Sequence, residues 1–261
     1  MDLELNGRTA LVLGAGGGLG RAIARTLATE GARVALADID AEALAATEAA
    51  IEATGGVALP LVWNLADIDA CDGHVAAIEA ALGPVDILVN NTGGPPPSTA
   101  HGVAPASWDA QFRAMVLSVI HLTDRVLPSM RARKWGRIVT STSSGVVAPI
   151  PNLGVSNALR STLVGWSKTL AREVAADGIT ANVILPGRIA TARIRFLDEQ
   201  KAKREGRPVD DIIAESTGSI PVGRYGTPEE YADAVAFLAS ARAAYITGSV
   251  IRVDGGYLPN I

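Results

Sequence analysis

Leu13-Gly14-Ala15-Gly16-Gly17-Gly18-Leu19-Gly20 follows directly on the apolar run Thr9–Leu13 and opens the helical stretch Leu19–Thr29. A buried strand that runs into a glycine turn and then into a helix is the geometry that seats a nucleotide pyrophosphate. The glycines permit the tight turn and let phosphates approach the main chain, while the helix N-terminus offers free N–H groups and partial positive charge. Asp38 closes the next strand, 18 residues after Gly20. A carboxylate there accepts hydrogen bonds from adenosine ribose hydroxyls and repels a 2′-phosphate, and neither the turn nor Ile39 brings a basic residue to attract one. The expected coenzyme is therefore NAD rather than NADP.

Outward from that turn, apolar β-branched runs recur at Arg33–Ala37, Val57–Trp63, Val85–Val89, Arg137–Ser141, Thr180–Leu185 and Val250–Val253. Between most of them lie segments of helical period, Ala41–Ala53, Asp67–Leu82, Trp108–Arg133, Ser156–Ala176 and Pro228–Ser240. Strands alternating with helices predict an α/β fold with a doubly wound parallel sheet covered on both faces. No linker-like break interrupts them, so residues 1–261 read as a single nucleotide-binding domain. Gly93-Gly94-Pro95-Pro96-Pro97 follows a strand and is stiff. The weakly periodic, charged segment Arg188–Gly226 is of a kind that folds as a lid over substrate, so residues 188–226 are expected to cover the site.

Composition narrows the function. The net charge of −4 gives no electrostatic case for nucleic acid or an anionic membrane. The densest positive run, Lys201–Arg207, is interrupted by Glu205 and carries no aromatics, which reads as a solvated helix face. No stretch approaches the roughly 18 uninterrupted apolar residues of a membrane span, and the acidic N-terminus lacks the apolar core of a signal peptide. The lone Cys71 forms no intramolecular disulfide and reads as a small buried residue, consistent with a reducing cytoplasm. Three scattered histidines and one cysteine show no metal-ligand spacing.

Taken in order, Gly14-x-x-x-Gly18-x-Gly20, Asn90-Asn91-Thr92-Gly93, Ser143, Pro186-Gly187-Arg188-Ile189-Ala190-Thr191 and Thr247-Gly248…Val253-Asp254-Gly255-Gly256 resemble the short-chain dehydrogenase/reductase family along nearly the whole chain. The resemblance implies a sheet of about seven strands, a nicotinamide coenzyme, a small-molecule substrate and a homo-oligomer, tetramer or dimer. It implies coenzyme contacts from Gly14, Gly16, Gly17, Gly18, Leu19, Gly20, Asp38 and Ile39, and from Asn64 and Leu65 near the adenine, where the family usually has Asp before the apolar residue. Asn90, Asn91, Arg160, Pro186, Gly187, Ile189 and Thr191 would serve the rest of the coenzyme. Leu13 stands where the family usually has Thr.

The catalytic half departs from the family. There a Tyr exchanges the proton on the substrate oxygen, a Lys four residues later lowers its pKa, a Ser thirteen residues earlier orients that oxygen, and an Asn on the preceding helix holds a relay water. Counting from Ser143 and from Leu163–Leu170 puts Ser156 at the Tyr position, Arg160 at the Lys position and Met115 at the Asn position. Only Ser143 of the four matches. A serine hydroxyl is a far weaker acid than a phenol of pKa ~10 and falls short of its reach. Arg160 keeps a charge and donors for the ribose, but with a pKa above ~12 it is a poor relay.

Two readings follow: an NAD(H)-dependent oxidoreductase of a small carbonyl, alcohol or imine with a non-standard proton donor, and an NAD-binding pseudoenzyme or non-redox lyase. His101, Arg188 and a water held by Ser143 and Ser156 are the candidate donors, whereas His121 and Lys168 read as helix-surface or packing residues. Gly154-Val155-Ser156-Asn157-Ala158 is a poor nucleophile elbow, because a proline loop rather than a strand precedes it and Ser156 reads as a helix N-cap.

Overall fold

The computed structural model describes residues 1–261. Seven strands, β1 (Thr9–Leu13), β2 (Arg33–Asp38), β3 (Val57–Val62), β4 (Ile87–Asn90), β5 (Gly136–Ser141), β6 (Ile179–Pro186) and β7 (Val250–Val253), form one sheet in the order β3-β2-β1-β4-β5-β6-β7. Every pairing is parallel, as strand–helix alternation requires. Alternation along each central strand feeds two cores. Ala10, Val12, Val34 and Leu36 point to one face, and Leu11, Leu13, Ala35 and Ala37 to the other.

The first face is covered by α1 (Gly18–Thr29) and α9 (Pro228–Ala239), whose Ile23, Leu27, Tyr231 and Val235 are fully buried. The second is covered by α3 (Cys71–Leu82), α5 (Ser118–Arg133) and α6 (Gly154–Val174), through Val75, Ile78, Val126, Leu170 and Val174. A short helix α2 (Ala41–Glu52), capped by the Asp40 carboxylate, follows β2. The single-domain α/β reading stands.

The expected helix Trp108–Arg133 is in fact two, α4 (Pro105–Phe112) and α5, joined by a π-helical turn at Arg113–Leu117. The widened turn carries Met115, which is 2% exposed and packs with Val155 and Leu159 of α6. Segment 188–226 holds two helices, α7 (Ala192–Glu205) and α8 (Val209–Gly218). Lys201 and Arg207 pair with Glu215, so the basic run at 201–207 does fold as a charged helix face and its flank.

Strand order reverses between β1 and β4, which both end at the same edge of the sheet. Loops after β1, β4, β5 and β6 converge there, at the crevice where doubly wound sheets take ligands.

Candidate active site

Main-chain contact locks the loops together. Gly14, at φ +64°, lies so close to the next loop that a Cβ would stand 2.7 Å from the Asn91 carbonyl. The Asn91 amide also donates to the Leu13 carbonyl at 3.2 Å. At Gly20 an added Cβ would meet the Gly14 carbonyl oxygen at 2.0 Å, so only glycine lets α1 start this close to β1. Gly18 touches the Thr191 side chain across the cleft, 3.3 Å from the place of a Cβ, and Thr191 caps α7. Gly17 faces open space, and α1 begins there with no side-chain cap, leaving its first N–H groups for a ligand.

Asp38 does more than its place at the strand end predicts. One carboxylate oxygen accepts the Gly16 N–H at 3.0 Å and the other the Asp40 N–H at 3.2 Å, so the side chain anchors the glycine turn itself. Beside it, Arg21 donates to the Gly16 carbonyl at 2.8 Å and to Thr47 Oγ1 at 3.1 Å. That guanidinium, three positions into the helix, is a basic group that neither the turn nor Ile39 supplies. Ile39 is exposed, as is Asn64, whose side chain closes a local turn on Ala66 N–H. Leu65 packs partly on the second core. Pro186 ends β6, Gly187 lies against Asp254 with no room for a Cβ, and Ile189 is buried.

Deeper in the crevice, Ser143 caps a short 3-10 turn by accepting the Gly145 N–H at 3.1 Å. Gly145 abuts Asn157, which holds the Ile150 main chain and fixes the entry to α6. This brings Ser143 beside the first turn of α6. Ser156 is not the N-cap; Leu153 is, and Ser156 sits inside the first turn, 7% exposed. One turn on, Arg160 is buried and donates to the carbonyls of Ser141 (3.4 Å), Thr92 (3.4 Å) and Gly93 (3.1 Å). Burial pushes its pKa down to about 10, with the nearby Arg193 charge adding to the fall and Tyr231 opposing it. It remains a cation at neutral pH. Asn90 Oδ1, Thr92 Oγ1 and Thr142 Oγ1 line the ends of β4 and β5, buried and without a partner.

A sequence profile described as enoyl-(acyl carrier protein) reductase matches residues 14–258. The chain is 39% identical to the 3-oxoacyl-[acyl-carrier-protein] reductase FabG of Escherichia coli K12, over 97% of this chain and 98% of that protein. The chain belongs to the short-chain dehydrogenase/reductase family. Among solved structures, L-sorbose reductase from Gluconobacter frateurii, complexed with NADPH and L-sorbose, superposes over the full length of both chains with a TM-score of 0.94 at 31% identity. NAD⁺-bound xylitol dehydrogenase matches with a TM-score of 0.90 at 28% identity, over 97% of this chain and 100% of that one.

As a short-chain dehydrogenase/reductase the protein is an oxidoreductase, and the crevice fits an NAD(P)(H) coenzyme. It offers a glycine cradle with room above Gly17, an uncapped helix N-terminus and orphaned polar atoms at the β4 and β5 ends. The strict expectation of NAD over NADP is loosened, because solved relatives hold either coenzyme and Arg21 lies beside Asp38.

Of the candidate proton donors, Arg188 is bound to Asp198 in an ion pair, and Asp198 also accepts the Tyr225 hydroxyl at 2.8 Å. That guanidinium is committed to α7 and its flank rather than to Ser143. His101 is an exposed loop residue. Lys168 is exposed and bound to the Gly248 carbonyl, and His121 is half-buried on α5. Arg193, in the first turn of α7, donates to the Pro95 carbonyl at 2.8 Å and was missed altogether.

Proposed function

We propose that this protein is an NAD(P)H-dependent reductase of a small carbonyl compound, or the reverse dehydrogenase, whose proton comes from water rather than from a phenol. The observation that carries the reading is the survival of Ser143 beside an intact glycine cradle, with Ser156 and Arg160 in the first turns of α6. When bound, the coenzyme would supply hydride to the substrate carbon. Ser143 donates a hydrogen bond to the substrate oxygen and fixes its distance from the coenzyme. Ser156, smaller than a tyrosine, leaves space for the water that protonates that oxygen. Arg160, still charged at neutral pH, holds the ribose and stabilises negative charge as it develops.

Gly14, Gly16, Gly17, Gly18, Leu19 and Gly20 would hold the pyrophosphate, Asp38 and Ile39 the adenosine ribose, Asn64 and Leu65 the adenine, and Asn91, Pro186, Gly187, Ile189 and Thr191 the nicotinamide half. The Asp38 carboxylate favours NAD(H). Arg21 favours tolerance of NADP(H), since its guanidinium is held on the carbonyl of Gly16, the residue whose N–H Asp38 accepts. Helices α7 and α8 form the substrate cover, and exposed Val250 on the edge strand and Leu117 on the π-helical turn are suited to subunit contacts in a homo-oligomer.

The test is oxidation of NADH and NADPH over ketones, diketones, β-ketoacyl thioesters and imines, run beside the double change Ser156→Tyr, Arg160→Lys. Turnover by the natural protein supports the reading. Turnover by the double variant alone would sink it and leave a coenzyme-binding protein that does not reduce. Asp38→Asn keeps an acceptor for Gly16 and removes the charge, so the NADH-to-NADPH ratio of kcat/KM should fall; an unchanged ratio removes Asp38 from coenzyme choice.

A further inference from the structure

We propose that Arg193 is a latch that holds α7 closed across the crevice and sets the rate at which coenzyme enters and leaves. The inference rests on reading the crevice as the coenzyme seat and α7 as part of its cover, and it deepens that reading. Strand order carries the first step. β5 and β4 lie between β6 and β1, so a segment that leaves β6 and reaches the turn after β1 must cross the ends of both. Residues 187–193 make that crossing, and Thr191 meets Gly18, where a Cβ would stand 3.3 Å from the threonine methyl. They form a bridge over the place assigned above to the nicotinamide half.

The root of the bridge is firm. Ala190 N–H donates to the Gly226 carbonyl at 2.8 Å, and Gly226 N–H to the Arg188 carbonyl at 3.0 Å. Buried Asp198 takes both the Arg188 ion pair and the Tyr225 hydroxyl, which pins the middle of α7 to the same loop. The far end is held differently. Thr191 only touches Gly18, and Arg193 donates to the Pro95 carbonyl at 2.8 Å, the one hydrogen bond that joins segment 187–226 to the loops after β1 and β4. Neighbouring cations on α7 find acids, Arg195 with Glu199 and Lys201 with Glu215, but Arg193 has no acidic partner and no other hydrogen bond.

The catch it engages is fixed. Pro95, Pro96 and Pro97 have restricted φ, and each residue before a proline is confined to extended backbone. Ser98, at the end of the run, donates its N–H to the Asn152 carbonyl at 2.9 Å and accepts the Gly154 N–H at 2.9 Å, which ties the loop to the start of α6. When the bond breaks, α7 lifts and the proline loop stays. A charged donor on a carbonyl is stronger than a neutral pair, yet a single such bond opens reversibly. Because the latch closes over the seat whether empty or filled, it adds the same opening step to entry and to exit.

The experiment follows NADH fluorescence by stopped flow, on mixing with free protein and on chasing the loaded protein with excess NAD⁺. Wild type is compared with Arg193→Met, Arg193→Lys and Arg195→Met, the last removing an exposed charge from the same helix, with circular dichroism to confirm folding. Arg193→Met should raise the association and dissociation rates together by roughly five- to thirty-fold and leave Kd within about two-fold. Arg193→Lys should fall between, and Arg195→Met should match wild type. In ligand-free Arg193→Met, amide hydrogen exchange should quicken at residues 190–196 and stay as it is in α8. Unchanged rates, unchanged exchange, or an equal effect of Arg195→Met overturns the latch. So does faster release with a matching loss of affinity, which would place the guanidinium on the coenzyme itself. Wild type that binds no NADH overturns the seat and the latch together. NADH exchange without turnover of any carbonyl overturns the reductase reading alone.

Discussion

Replacing Arg160 by methionine should make the ligand-free protein more stable. Burial lowers the guanidinium from its ordinary value to about 10, which at about 1.36 kcal/mol per pH unit sets the cost of keeping it charged at about 3 kcal/mol. Against this stand three hydrogen bonds to carbonyls at 3.1 to 3.4 Å, long enough to contribute only about 0.5 kcal/mol each. A methionine, two heavy atoms shorter but apolar, fills most of the space and removes the cation, for a net gain of about 1–2 kcal/mol, or roughly 2–6 °C in Tm. The sign with pH follows from the direction of the shift. A base whose folded-state pKa is depressed destabilises fully at every pH below that value and stops doing so only as pH climbs through it toward the unfolded value. The Tm difference between variant and wild type should therefore stay constant between about pH 6 and pH 9 and shrink only above pH 10. Calorimetry across that range, with no coenzyme present, checks both points. A variant that melts several degrees lower would refute the reasoning and make Arg160 a structural tie between α6 and the β4 loop.

Gly20→Ala puts a methyl group 2.0 Å from a main-chain oxygen that no rotamer change can relieve, so urea denaturation should show a loss beyond about 3 kcal/mol or no folded protein. Thr227→Ala removes a capping box closed in both directions with Glu230 at the start of α9 and should cost about 1 kcal/mol in the same assay. Burial raises the Cys71 thiol to about 11, so only about one thiolate in a thousand exists at pH 8. Iodoacetamide should leave it unmodified in the native state and alkylate it on unfolding, as mass spectrometry would report.

Periodicity located the sheet because central strands buried on both faces read as unbroken apolar runs, and β1 matches its expected limits residue for residue; the half-exposed edge strand β7 does so through its β-branched residues alone. The two helices of segment 188–226 were not legible for a physical reason. They are charged, broken at Gly206-Arg207-Pro208, and held by ion pairs to each other rather than by an apolar stripe. The π-helical turn inside 105–133 inserts one residue without altering the helical pattern on either side, so no window on sequence marks it. Within the site, the glycine turn and Asp38 were visible through their fixed spacing. Arg21 and Arg193 were not, because a single arginine on a helix carries no pattern until the fold shows what it faces.

The glycines that lock the crevice also decide where change can be tolerated. Gly14 leans on Asn91, Gly18 on Thr191 and Gly94 on two arginines, so each loop is the wall of the next. A methyl group added at the first contact must be passed on through the second toward α7, because no loop has slack to absorb it. New chemistry in such a frame is available only through side chains that project into the opening, as Ser143, Ser156, Arg160 and Arg193 do, while the main chain around them stays as it is. A library built to retarget this protein should accordingly hold the loops fixed and vary those four positions together.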